Sequence, residues 1–174
     1  MKKTKKITNQ AMIASIYTVL SIALSAVTFG TVQVRISEAL TLLPIYSITN
    51  IWGVTIGCFL TNLIGFFTGA NILGALDMLF GTLATFSAAV MSYFFRNIRF
   101  KGFPVLSAVP PILFNAVVVG WELCLFLNNG VFNPFIFWTQ AFSVGAGQLL
   151  SCGVAGLMMT KIIDKNNTLK ALVS

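Results

Sequence analysis

The chain has 174 residues, 57% of them hydrophobic and 9% charged, with mean hydropathy +0.90 and a net charge of +7. Ordinary soluble domains are about 45–50% apolar and about 25% charged, and a core of 18.8 kDa cannot hide such an apolar excess. A soluble globular domain and a disordered chain are both excluded, which leaves a protein dissolved in a bilayer.

In chain order, Lys2, Lys3, Lys5 and Lys6 open the sequence. A basic start before an apolar run also opens a secretory signal. Here residues 11–29 form a run of about 19, longer than the ~7–15 of a signal core, and read as a first spanning helix. Residues 36–48 are apolar but short for a full crossing, and Arg35 and Glu38 stand at their start. Further runs follow at 51–68, 73–95, 103–127 and 134–163, close to the ~20 residues or more that a spanning helix needs. Arg96, Arg99 and Lys101 form one basic cluster, and Lys161, Lys165 and Lys170 form the last.

The basic clusters decide the topology. If residues 36–48 cross, there are six spans, and every Lys and Arg except Arg35 falls on the cytoplasmic side. Residues 30–35, 69–72 and 128–133 then connect the spans outside. If 36–48 do not cross, residues 96–101 turn outward against the positive-inside rule. The expected fold is therefore an all-α integral membrane protein, a six-transmembrane-helix bundle with both termini cytoplasmic. It forms one membrane domain over 1–174: a basic tail at 1–10, the bundle at 11–163 and a second tail at 164–174. The separation of basic clusters by apolar runs also argues against nucleic acid as a partner.

Four ionisable residues lie in or at the apolar runs: Arg35, Glu38, Asp77 and Glu122. Each costs ~2.5–3.5 kcal/mol at a helix centre on insertion scales. The six-span topology places all four toward the outer face, although none was used to derive it. Arg35 and Glu38 are three apart and can neutralise each other on one helical face. That pairing still leaves Asp77 and Glu122 without a cation, unless they are buried as protonated acids. The four charges sum to −2, which suits a cationic ligand or one rich in N–H donors, because a carboxylate accepts two parallel hydrogen bonds.

Neutral groups extend the pattern. Asn115 precedes Glu122 by seven residues, on the same helix face and about 10 Å away. Gln140 lies near the outer end of the sixth helix. Phe80 and Trp121, with Trp138, can stack on a planar ligand, although both tryptophans also suit an interfacial aromatic belt. On the first helix Ala11, Ala14, Ser15 and Thr18 bring small side chains together, as close helix–helix approach requires.

No phosphate-binding loop and no nucleophile–base constellation is legible, and the chain contains no His. Cys58, Cys124 and Cys152 sit in apolar runs and read as packing residues, so neither a disulfide nor a metal site is expected. The expectation is a binding subunit, not an enzyme, with no cofactor and with partners for energy.

Three stretches carry a family resemblance: Arg35-Ile36-Ser37-Glu38-Ala39-Leu40-Thr41, Phe80-Gly81-Thr82-Leu83-Ala84-Thr85 after Asp77, and Leu113-Phe114-Asn115 with Gly120-Trp121-Glu122. They resemble the QueT family, the substrate-binding S components of energy-coupling factor (ECF) transporters, over roughly residues 11–163. The resemblance implies a six-helix S component that takes a queuosine precursor of the 7-deazaguanine type from outside. It implies docking on a scaffold transmembrane subunit with two cytoplasmic ATPases. The candidate substrate contacts remain those read from charge and spacing above: Arg35, Glu38, Asp77, Phe80, Asn115, Trp121, Glu122 and Gln140. The resemblance also places the scaffold contact on the first helix, where this chain has Ala11 but Ser15 in the small-residue pattern. An S component for another vitamin and a freestanding facilitator are the alternatives.

Overall fold

The computed structural model describes residues 2–29 and 34–174. Residue 1 of the expected N-terminal tail and residues 30–33 of the expected outer loop lie outside them. The described residues are helical apart from turns and one isolated bridge between Phe100 and Phe103. The helices are α1 (Lys2–Ala23), α2 (Ser25–Thr28), α3 (Asn50–Thr68), α4 (Ala75–Phe94), α5 (Val105–Leu127), α6 (Pro134–Gln148), α7 (Leu157–Lys165) and α8 (Asn167–Val173). A 3-10 helix, Ile36–Ile45, lies between α2 and α3, and a π-helical stretch, Leu149–Gly156, joins α6 to α7.

Among the described residues, four helical stretches are long and apolar enough to cross a membrane: Asn50–Thr68, Ala75–Asn97, Val105–Leu127 and Pro134–Lys165. Many large apolar side chains point outward, with Phe67 78%, Phe135 81% and Phe142 74% exposed. In water such a surface would associate; in hydrocarbon it is the solvated face. The chain is a multi-pass membrane protein.

Two expected spans take a different form. The run 11–29 is not one helix: α1 starts in the basic segment at Lys2, stops at Ala23, and a turn at Leu24 precedes α2. The run 36–48 forms a 3-10 helix over Ile36–Ile45. Pro44 contributes to that choice, because in an α-helix its ring would crowd the Leu40 carbonyl and its missing N–H would break the ladder. The tighter winding rises ~2.0 Å per residue against ~1.5 Å, so ten residues reach about 20 Å rather than about 15 Å. The short segment gains depth this way.

The 3-10 helix is also the most enclosed element, with Ser37 through Ala39 and Thr41 through Ile45 buried. It contacts α1, α3, α4, α5, α7 and the π stretch. Around it α1 packs on α3, α3 on α4, α4 on α5 and α5 on α6. Close approach is set by glycine at two of these seams. A Cβ at Gly57 would lie 2.7 Å from Tyr17 Cβ, and one at Gly120 would lie 2.8 Å from Ala141 Cα.

One end of the bundle collects the chain's basic clusters. Gln10 Nε2 donates to Thr49 and Asn50, Arg99 pairs with Asp164, and Tyr46 Oη donates to the Thr160 carbonyl at 2.9 Å. The expected tails are helical here. Asn166 caps α8, and the end of α8 is fastened by Asn9 to the Leu172 carbonyl and by Asn50 Nδ2 to the Val173 carbonyl at 2.7 Å.

Candidate ligand-binding site

The interior next to the 3-10 helix is polar. Arg35 stands immediately before that helix, 3% exposed. Its Nη2 donates to Asp77 Oδ2 at 3.0 Å, its Nη1 meets Cys58 Sγ at 3.6 Å, and its guanidinium carbon lies 5.7 Å from the Phe29 ring centroid. Asp77, in the first turn of α4, also accepts from Asn71 Nδ2 at 2.9 Å, and its backbone carbonyl accepts from Asn62 Nδ2 at 2.8 Å. The expected local pair of Arg35 with Glu38 is therefore not the ion pair that forms. Arg35 lies outside the helix that carries Glu38, so the (i, i+3) face does not apply to it.

Glu38 is fully buried and held by hydroxyls instead. Tyr17 Oη donates to its Oε1, and Thr85 Oγ1 donates to the same oxygen at 3.1 Å. Its backbone carbonyl accepts from Thr41 Oγ1 at 2.6 Å and from Cys152 Sγ, on the π stretch, at 3.3 Å. Glu122 on α5 is equally buried, within electrostatic reach of Asp77 and Arg35, yet among the described residues neither carboxylate oxygen has a hydrogen-bond partner.

Other buried polar atoms are unpartnered among the described residues. Glu38 Oε2, Asp77 Oδ1 and Asn62 Oδ1 accept from nothing, and Asn115 Nδ2 and the Thr28, Thr61, Thr82 and Ser107 hydroxyls have no partner. A buried polar group left unpaired costs ~1–3 kcal/mol, more when charged. Arg35 and Asp77 cancel, which leaves Glu38 and Glu122 as two acids with no cation paired to them among the described residues. The arrangement accepts N–H donors and offers the Asn115 amide for an acceptor.

The other expected contacts are distributed as follows. Phe80 and Trp121, both half-buried, meet edge to face at 5.7 Å and present aromatic surface from α4 and α5. Trp138 is 58% exposed and meets Phe137 edge-on and Phe142 at a tilt, apart from that pair. Gln140 is half-buried on α6, next to Ala141, and among the described residues no hydrogen bond joins it to the acids. Sequence reading missed Tyr17, Cys58, Asn62, Asn71 and Thr85, which complete the network.

The small residues of α1 divide between two faces. Ala11 and Ser15 are exposed, and Ser15 Oγ donates back to the Ala11 carbonyl. Ala14 is 4% exposed, its carbonyl lies against Gly57, and Thr18 Oγ1 reaches the Gly57 carbonyl at 3.2 Å. Ala14 and Thr18 thus contact α3 within the bundle, where Gly57 lets the two helices approach closely.

A family model described as QueT transporter matches residues 7–165. Among curated proteins, the queuosine precursor transporter QueT of Lactococcus lactis subsp. cremoris (strain MG1363) is 36% identical over 83 residues, covering 45% of this chain and 49% of that protein. The match thus spans about half the length of that relative. No solved structure matches the chain.

Proposed function

Since the chain belongs to the QueT transporter family, we propose that it is the membrane-embedded substrate-binding subunit of an ATP-driven ECF importer. It captures a queuosine precursor of the 7-deazaguanine type from outside. A scaffold transmembrane subunit and two cytoplasmic ATPases drive delivery inward. In this reading α1 and the 3-10 helix also traverse the bilayer, which makes six passes with both termini cytoplasmic.

One observation carries the reading: among the described residues both Glu122 oxygens are buried without a partner, while the buried Arg35 guanidinium is taken by Asp77. Glu122 accepts the two parallel N–H groups of the guanine-like edge, as a carboxylate accepts a guanidinium. Glu38 Oε2 takes a single donor such as an ammonium, Asn115 donates to the ring carbonyl, and the Phe80–Trp121 pair packs on the ring. The named Lactococcus relative supports the substrate class.

The test is the small molecule that copurifies with the protein, identified by mass spectrometry. A 7-deazaguanine is the expected result, and a different vitamin would overturn the substrate. Pull-down from native membranes is expected to recover the scaffold and ATPases. Undiminished uptake in cells lacking the scaffold would overturn the partner assignment.

A further inference from the structure

The three buried acids are anchored differently. Among the described residues, Arg35 and Asn71 hold Asp77, Glu122 has no donor, and Glu38 has two hydroxyl donors on one oxygen and none on the other. Resting on the binding role given to Glu38 above, we propose that Tyr17 and Thr85 are positioning residues that fix its carboxylate so that Oε2 alone meets the substrate.

A carboxylate has two equivalent oxygens, and the torsion that exchanges them is broad and roughly two-fold. Two O–H donors on Oε1 remove that equivalence. The donors come from separate elements, Tyr17 from α1 and Thr85 from α4, so the orientation is fixed by the bundle and not by one helix. The backbone is pinned as well: Glu38 N donates to the Arg35 carbonyl at 2.9 Å, and Thr41 and Cys152 bond its own carbonyl. Tyr17 is 0% exposed and cannot shift its ring freely, because its Cβ lies where α1 and α3 meet at Gly57. Its single O–H is committed to Glu38. Tyr17 therefore acts through Glu38 and adds no donor of its own to a substrate.

Binding of 7-aminomethyl-7-deazaguanine to the full chain in lipid nanodiscs, followed by calorimetric titration, tests this. Tyr17→Phe and Thr85→Val are each expected to lower affinity about 10-fold, the value of one hydrogen bond to a charged group. In a Glu38→Ala background the added Tyr17→Phe is expected to change affinity by less than about 2-fold, because the interaction it removes is already gone. A Tyr17→Phe penalty of equal size in both backgrounds would show a merely structural role and overturn the proposal. So would wild-type affinity for Tyr17→Phe while Glu38→Ala abolishes binding, a result that leaves the substrate reading intact. Wild-type affinity for a folded Glu38→Ala would overturn both. If Glu38→Ala does not fold, Glu38→Asp serves in the same cycle, since it withdraws the carboxylate from both hydroxyls by one methylene.

Discussion

Arg35 donates to Asp77 at 3.0 Å across 42 positions of sequence, and the carboxylate of Glu38, three residues on, is bonded by Tyr17 and Thr85 instead. This single pairing decides the chemistry of the interior. It joins the start of the 3-10 helix to the first turn of α4 and cancels two charges. Glu38 and Glu122 are left with no cation paired to them among the described residues.

Breaking a buried ion pair by removing one partner costs ~3–5 kcal/mol, whereas replacing both with apolar groups is often neutral. Asp77→Asn and Arg35→Met are each expected to lower the melting temperature in detergent without ligand, and the pair Arg35→Met with Asp77→Leu to recover most of the loss. Singles that melt like wild type would show that the pair contributes nothing to the fold.

The two tight glycine seams give contrasting variants. Extra methylenes in packed interiors cost ~1–3 kcal/mol. Gly57→Ala pushes on Tyr17, so it is expected to lower both stability and substrate affinity. Gly120→Ala pushes on the α6 backbone at Ala141, 2.8 Å from its Cβ, and is expected to lower stability with a smaller effect on affinity. Thermal melts and titrations on the two variants check the difference.

Much of the site was legible because a charge in an apolar run is costly. That picks out Arg35, Glu38, Asp77 and Glu122 from sequence alone. Tyr17, Asn62, Asn71 and Thr85 leave no such mark. A hydroxyl in a membrane helix can bond its own backbone, as Thr18 and Ser21 do with the Ala14 and Tyr17 carbonyls, so a polar side chain does not announce a tertiary partner. The 3-10 winding was hidden because Ile36–Ile45 is buried on nearly every side, so no apolar face marks a period of 3.0 or of 3.6. The helices within the two tails were not assigned from sequence. Lys is a good helix former, and α1 begins at Lys2. At the other end, Asn166 before Asn167-Thr168 is a capping signal, while Asn50, which fastens the end of α8, lies 123 positions from Val173.

The exposed part of α1 separates binding from transport. Ala11→Trp and Ser15→Trp sit on its outer face, so both are expected to fold and bind substrate normally, yet to lose uptake and copurification with the scaffold. Ala14→Trp is expected to fail earlier, by unfolding, because Ala14 is packed on α3. Normal uptake by the first two variants would place the docking surface elsewhere or remove the partner.

Membrane topology is checked by single cysteines at positions 98 and 130, which flank α5 at opposite ends. Position 130 is expected to label from outside the cell and position 98 only from inside. Labelling of both from one side would break the six-pass arrangement.

The most direct measurement is titration of 7-aminomethyl-7-deazaguanine into wild type and Glu122→Gln, with melting curves of both free proteins. Because no described group bonds the buried Glu122 carboxyl in the free protein, Glu122→Gln breaks no hydrogen bond and is expected to melt no lower than wild type. Its affinity is expected to fall roughly 10- to 150-fold, the loss of ~1.5–3 kcal/mol for a hydrogen bond to a charged group. Stability kept while binding is lost is the signature of an acid retained for a ligand. Equal affinity in the two proteins would contradict the account, since it would show that the two free oxygens of Glu122 are not where the substrate binds.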